Sequence, residues 1–195
     1  MKRKKTAKPA LQETEVAEQL IRAWEPLGYE CYKEVINTQG GSNRNDCFFV
    51  RRENGVVTET VAVETKTSFT LKVIEQAWEW KNYAHKSFVG VPANVGATRA
   101  FTLALCKEMG IGVVAITAQG AKILLDAPVN PRPKLPTLYE QQKQSAAGNA
   151  ESQYYTAFKH TCGLLNAFME AHDPQQNGIA LNVVIKAIDH HYASD

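Results

Sequence analysis

No run of apolar residues in this chain approaches the roughly 18–20 positions that a membrane-spanning helix needs, and its opening lacks the apolar stretch of a signal peptide. A helical membrane span is thereby excluded, and the expectation is a cytoplasmic protein. Cysteine is scarce. Cys31, Cys47, Cys106 and Cys162 have no metal-ligand spacing, and each sits among apolar or aromatic residues. That excludes a zinc finger and reads as reduced, mostly buried thiols. A dominant charge is missing too: the net charge of +2 sets up no global field that would announce a polyanionic partner. There is no Ser/His/Asp arrangement, no Walker loop and no internal repeat.

What is present is a chain of 195 residues, 44% hydrophobic and 22% charged, which is room for one ordinary domain and a small appendage. Its charge is uneven. Met1 to Lys8 carries five cations and no acid, so residues 1–10 read either as a solvated flexible tail or as an arm that grips phosphates.

Periodicity predicts a helix over about 12–25, with Val16, Leu20, Trp24 and Leu27 on one stripe and Pro26 with Gly28 closing it. Tyr29 to Thr38 reads as a strand and Gln39 to Asn45 as a loop. Asp46 to Arg51 and Val56 to Lys66 read as a hairpin across Asn54-Gly55, the strongest short turn signal. A helix over about 70–85, a strand at 87–91, a helix near 97–108 and strands at 111–116 and 122–125 follow. The order α-β-β-β-α-β-α-β-β implies an α/β fold, a mixed sheet flanked by helices, over residues 11–127. Pro128, Pro131, Pro133 and Pro136, followed by a polar stretch, make 128–151 a linker. Beyond it, 152–195 holds two amphipathic helices, one carrying Phe158, Leu165 and Phe168, the other Leu181, Val184, Ile188 and Tyr192.

Asp46, Glu64 and Lys66 carry the chemistry. Side chains alternate along a strand, so Glu64 and Lys66 are expected on one face, while Asp46 opens the neighbouring strand. Two carboxylates then converge at a sheet edge with an ammonium close by. A hard cation such as Mg²⁺ or Mn²⁺ takes oxygen ligands and keeps several waters, so the two carboxylates with the Thr65 carbonyl suit it. Such an ion polarises a phosphodiester and lowers the pKa of the attacking water. Lys66 can orient that water or stabilise charge on the phosphorane. Glu-x-Lys alone is weak, since a chain of this size holds it about half the time by chance. The second copy, Glu79-Trp80-Lys81, lies in a predicted helix, where residues two apart point about 200° from each other, and it cannot form the site.

Asp-x₁₇-Glu-x-Lys across a hairpin, after an acidic helix and before an amphipathic one, resembles the PD-(D/E)xK nuclease superfamily over residues 12 to about 126. The resemblance implies a restriction-endonuclease-like fold and metal-dependent hydrolysis of DNA leaving a 5′-phosphate. It assigns the metal to Asp46 and Glu64, and assistance of the water to Lys66. Asn45 stands where the superfamily's name has proline. A first-helix acid often reaches the metal in this family. Glu13 shares the face of Val16, Leu20 and Trp24 and is the choice, with Glu15 next; a plain helix-start acid is the alternative for either. Gln76 fits the glutamine often found after Glu-x-Lys, and an ordinary boundary glutamine is its alternative.

The loop Gly40-Gly41-Ser42-Asn43-Arg44 reads as a phosphate cradle or a plain polar connection, and Lys33, Lys72 and Arg99 as backbone contacts or surface charges. His190-His191 make a poor chelate, because adjacent helical residues point about 100° apart. The C-terminal helices dock on the nuclease-like domain, pair with a second copy, or form a helix-turn-helix-like module. The leading expectation is a DNA nuclease, with RNA left open as substrate. A nucleic-acid-binding or protein-interaction module on the same fold is the alternative.

Overall fold

Helix α1 (Glu13–Trp24) forms because Val16, Ala17, Leu20, Ile21 and Trp24 recur at three- and four-residue spacing, and all five are buried. Its start is closed by Glu15, whose carboxylate accepts the Gln12 amide at 2.7 Å, one half of a capping box. Behind Trp24 the chain tightens into a 3-10 turn, Glu25–Leu27, followed by Gly28 at φ +86°. That turn corrects one expectation. Leu27 is exposed rather than on the buried stripe, since a turn of three residues leaves the 3.6-residue period.

The computed structural model describes residues 12–37, 44–94, 100–145 and 155–190. Strands β1 (Tyr29–Ile36), β2 (Arg44–Glu53) and β3 (Val56–Thr65) form an antiparallel meander. The β2–β3 hairpin turns on Asn54 and Gly55 at φ 53° and 80°, the pair of positive values that a type I′ turn requires. Helix α2 (Leu71–Glu79), strand β4 (Lys86–Pro92), helix α3 (Ala100–Met109) and strand β5 (Gly112–Thr117) follow as two crossovers, leaving β3, β4 and β5 parallel. Strand β6 (Gly120–Leu125) returns antiparallel, and the six strands lie in sequence order. The fold is thus a mixed six-stranded sheet with flanking helices. Two boundaries moved. Strand β2 begins at Arg44, so Asn45 and Asp46 lie inside the sheet. Helix α2 stops at Glu79, where a tight turn, Trp80–Asn82, takes over.

Successive crossovers of one hand keep α2 and α3 on the same face of the sheet. There Val73, Ile74, Ala77 and Cys106 pack on Val89, Val91 and Val113, and Trp80 with Ala84 packs on Tyr32, Phe48 and Ala62. The opposite face is left to α1, whose stripe meets Cys47, Phe49, Val61, Val63, Phe88 and Ile116. Each large side chain so buried contributes about 1.5–3 kcal/mol. Gly112 is required by this packing, because a Cβ there would fall inside the Phe88 ring.

The proline-rich stretch read as a linker is, over 128–145, a strap laid on the domain. Asn130 and Lys134 donate their amides to the His85 and Asn82 carbonyls, each at 2.7 Å. A 3-10 turn, Glu140–Gln144, packs on β1: Tyr32 donates its hydroxyl to Glu140 at 2.9 Å, and Lys143 lies 3.0 Å from Glu30. Gln142 is buried and accepts the Tyr139 amide at 2.9 Å. Helix α4 (Ala157–His172) touches the strap through His160, whose ring lies 4.7 Å from that of Tyr139. Helix α5 (Leu181–Ala187) ends before the expected Ile188 and Tyr192, and Tyr192 lies outside the described residues. No described helix is long and apolar enough to cross a membrane.

Two stability experiments follow from this packing. Gly112→Ala forces Phe88 off its seat and lowers stability by about 1–3 kcal/mol in urea denaturation. Gln142→Ala removes a buried side chain that accepts the Tyr139 amide within the strap and costs about 1–3 kcal/mol, whereas Lys143→Ala, at partly exposed ion pairs with Glu30 and Glu140, costs less than about 1 kcal/mol. Equal losses for the two strap variants would show that ion pairing rather than burial holds the strap.

Candidate active site

Four element ends meet at one edge of the sheet by topology alone. Strand β3 ends there at Thr65, antiparallel β2 begins there at Arg44, and α2 begins just past β3 at Leu71. Strand β1 runs in the same direction as β3, so α1, which leads back into β1, starts at this edge with Glu13.

The last regular pair of the β2–β3 ladder is Cys47 with Val63. One step further the side-chain bonds cross. Asn45 Nδ2 donates to Glu64 Oε1 at 2.8 Å, while Asp46 Oδ2 accepts the Thr65 amide at 2.8 Å and the Thr65 hydroxyl at 3.1 Å. The same Oδ2 lies 3.5 Å from Lys66 Nζ, which donates to Glu13 Oε2 at 3.0 Å. Lys66 sits one residue beyond β3, its amide bonded to the Gly90 carbonyl at 3.0 Å. Its ammonium thus joins the start of α1 to the start of β2. Glu64 is almost fully buried, at 1% exposure, and its Oε2 has no hydrogen-bond partner among the described residues.

Burial, with the Asp46 charge next in weight, pushes the Glu64 carboxyl well above the usual glutamate range, against the pull of the Asn45 bond and Lys66. Burial also raises Asp46, opposed by Lys66 and by the Thr65 donors. For Lys66 burial works downward, but Asp46 and Glu13 outweigh it and the ammonium is held more firmly protonated. The edge therefore pairs one secure cation with two carboxylates that are expensive to ionise.

The sequence candidates fall into three groups. Glu13, Asp46, Thr65 and Lys66 are in direct contact, and Glu64 stands beside them, held by Asn45. Glu15 is turned away to cap α1. Thr65 contributes the amide and hydroxyl that grip Asp46, and its carbonyl belongs to a fully buried residue. Gln76, on α2, keeps a buried Oε1 with no partner among the described residues. The Arg44 guanidinium, expected at a phosphate, lies 3.5 Å from Glu34. Lys72 is exposed on the first turn of α2, and Lys33 is half-buried. Residues 40–43 and Arg99 lie outside the described residues, as do the basic tail and His191.

Two residues escaped the sequence reading. Asn45 was given no role of its own, yet it holds Glu64. Glu34, buried in β1 with φ +55°, adds negative charge that also raises Glu64. A left-handed glutamate inside a strand costs about 1–2 kcal/mol. The available signal was slight: an acid within the aromatic and β-branched run Tyr29 to Ile36. Among the described residues, no three acid, histidine or cysteine side chains stand together as a ready metal cage.

No family model matches the chain, and no curated protein matches it. Among solved structures, the chain is similar to the SPO1766 protein of unknown function from Silicibacter pomeroyi, with 16% identity, 88% of this chain and 99% of that chain covered, and a TM-score of 0.46.

Proposed function

We propose that this chain is a restriction-endonuclease-like nuclease that hydrolyses DNA phosphodiesters with Mg²⁺ or Mn²⁺. The observation that carries the reading is the state of its two edge carboxylates. Each is anchored by protein donors through one oxygen, Asp46 by Oδ2 and Glu64 by Oε1, and Glu64 Oε2 is buried without a partner among the described residues. An unpaired buried carboxylate oxygen costs several kcal/mol unless a cation or a donor meets it.

The residues fit a hard divalent cation. Glu64 Oε2 is a buried carboxylate oxygen that lacks a donor among the described residues, an acceptor of the type Mg²⁺ takes. Two carboxylates rather than three suit an ion that retains most of its water shell. When bound, such an ion polarises the phosphodiester and lowers the pKa of the attacking water. Lys66 stays charged between Asp46 and Glu13 and so can orient that water or meet charge building on the phosphate. Glu13 holds the ammonium in place from α1. The order of elements around Asp46, Glu64 and Lys66 supports the restriction-endonuclease-like reading of the α/β fold.

Labelled duplex, single-stranded and branched DNA, with RNA alongside, test this directly. With Mg²⁺ or Mn²⁺ the protein cleaves DNA to products bearing a 5′-phosphate, and Glu64→Ala or Lys66→Ala lowers the rate by about 10²–10³-fold while the fold persists. Undiminished cleavage by Glu64→Ala would place any activity elsewhere.

A second test reads stability. A carboxyl whose folded-state pKa is raised favours folding at low pH and loses that contribution as pH rises through the folded value. Metal-free Glu64→Gln is therefore more stable than wild type at neutral pH, by about 2–4 °C in Tm if the gain is near 1 kcal/mol. The advantage shrinks as pH falls toward the ordinary glutamate range. Mg²⁺ raises the Tm of the wild type and leaves that of Glu64→Gln nearly still. Loss of stability in Glu64→Gln at neutral pH would contradict the assignment.

A further inference from the structure

We propose that Asn45 is a positioning residue whose carboxamide fixes the Glu64 carboxylate so that Oε2 alone is offered to a divalent cation. The inference rests on the metal-dependent reading of the site given above.

Asn45 is fully buried in β2, its backbone paired with Val35. Among the described residues its side chain makes one hydrogen bond, from Nδ2 to Glu64 Oε1 at 2.8 Å, and its Oδ1 has no partner. Glu64 Oε2 has none either. The two residues thus share one bond and leave two buried acceptors unpaired. A bond of this kind contributes about 0.5–1.5 kcal/mol net, more where one partner is charged, while each unsatisfied buried acceptor costs about 1–3 kcal/mol. For folding alone the pair is costly, and only apolar residues at both positions would relieve it, since replacing Asn45 alone strands Glu64 Oε1 as well.

What the amide supplies is orientation. A glutamate side chain has three rotatable bonds, and the competing donor here is the Lys66 ammonium, which already lies 3.0 Å from Glu13 and 3.5 Å from Asp46. A Glu64 free to swing onto Lys66 would close the acids and the cation into one ion cluster and withdraw the oxygen that a divalent ion needs. Asn45 occupies Oε1 and keeps the carboxylate apart from that cluster. Partners that orient a metal-binding side chain in this way typically govern affinity by about 10–100-fold.

Isothermal titration of Mn²⁺ into the full chain, with unfolding curves of the metal-free proteins, tests the proposal without reference to cleavage. Asn45→Leu leaves Glu64 Oε1 without its donor, so it is expected to unfold below the wild-type temperature and to bind Mn²⁺ about 10-fold or more weakly. A folded Asn45→Leu that binds Mn²⁺ as well as wild type would overturn the inference and leave the metal site standing. A wild type that takes up no Mn²⁺ would overturn the metal-dependent reading, and this inference with it. Should the leucine variant not fold, Asn45→Ser and Asn45→Ala give the comparison in smaller side chains. Serine keeps a donor and is expected to bind Mn²⁺ more tightly than alanine; equal affinities would refute the role.

Discussion

The grip of Thr65 on Asp46 is the constraint from which the rest of the edge follows. Two donors from one residue, the backbone amide at 2.8 Å and the hydroxyl at 3.1 Å, fix a single carboxylate oxygen. Because Thr65 is the last residue of β3 and Asp46 lies near the start of β2, the bond locks two strand ends where the regular ladder has already stopped at Cys47 and Val63. With Oδ2 fixed, Lys66 has a counter-charge to settle against, and Glu13 completes the pair from α1. The neighbouring Asn45 is then turned toward Glu64 instead. One crossed pairing thus sorts the polar side chains into two groups, a charged knot around Lys66 and a quieter Asn–Glu pair beside it.

The fold explains why such an edge can exist. In a sheet with parallel strands joined by crossovers, helices begin and strands end on the same side, and that side collects polar groups which the packed faces cannot take. Here the antiparallel meander adds the start of β2 to that side, and the two sheet faces are sealed by α1 on one and by α2, α3 and the Trp80 turn on the other. Sealing is what makes the acids costly. Glu64 sits next to Val63 in a strand whose last six residues are all buried. The same burial strengthens any charge interaction at the edge, because little water remains to screen it.

Much of this was readable from residue order. The Asn54-Gly55 turn demanded positive φ at both positions, and it dictated a hairpin that brings Asp46 near Glu64. The stripe Val16, Leu20, Trp24 put Glu13 rather than Glu15 toward the sheet, and the contact with Lys66 has that geometry. Other features depend on tertiary contacts that no local pattern carries. Leu27 left its stripe because Pro26 and Gly28 tightened the helix end. The prolines of 128–136 looked like a spacer, but backbone donors beyond them found carbonyls at Asn82 and His85. Asn45 looked like the end of a polar loop, since nothing in Gly-Gly-Ser-Asn-Arg-Asn marks where pairing with β1 begins.

The balance of charge at the edge bears on how selective the site can be. Lys66 is committed to Glu13 and Asp46, and the Arg44 guanidinium lies against Glu34, so the cations nearest the acids are held by protein groups. On the proposed reading, a phosphodiester reaching this edge would meet acids first, and its own negative charge would oppose the approach unless a divalent ion lay between them. Such an ion would make the approach favourable at every linkage alike, because it contacts phosphate and not base. Preference for one sequence or one nucleic-acid shape must then come from surfaces beside the edge. The exposed Ser68, Thr70, Leu71 and Lys72 follow Lys66 within six residues in the chain. The proposed reading would thus put chemistry and selectivity on different parts of the same fold, the first on a buried pair of strands and the second on the exposed segment that follows them.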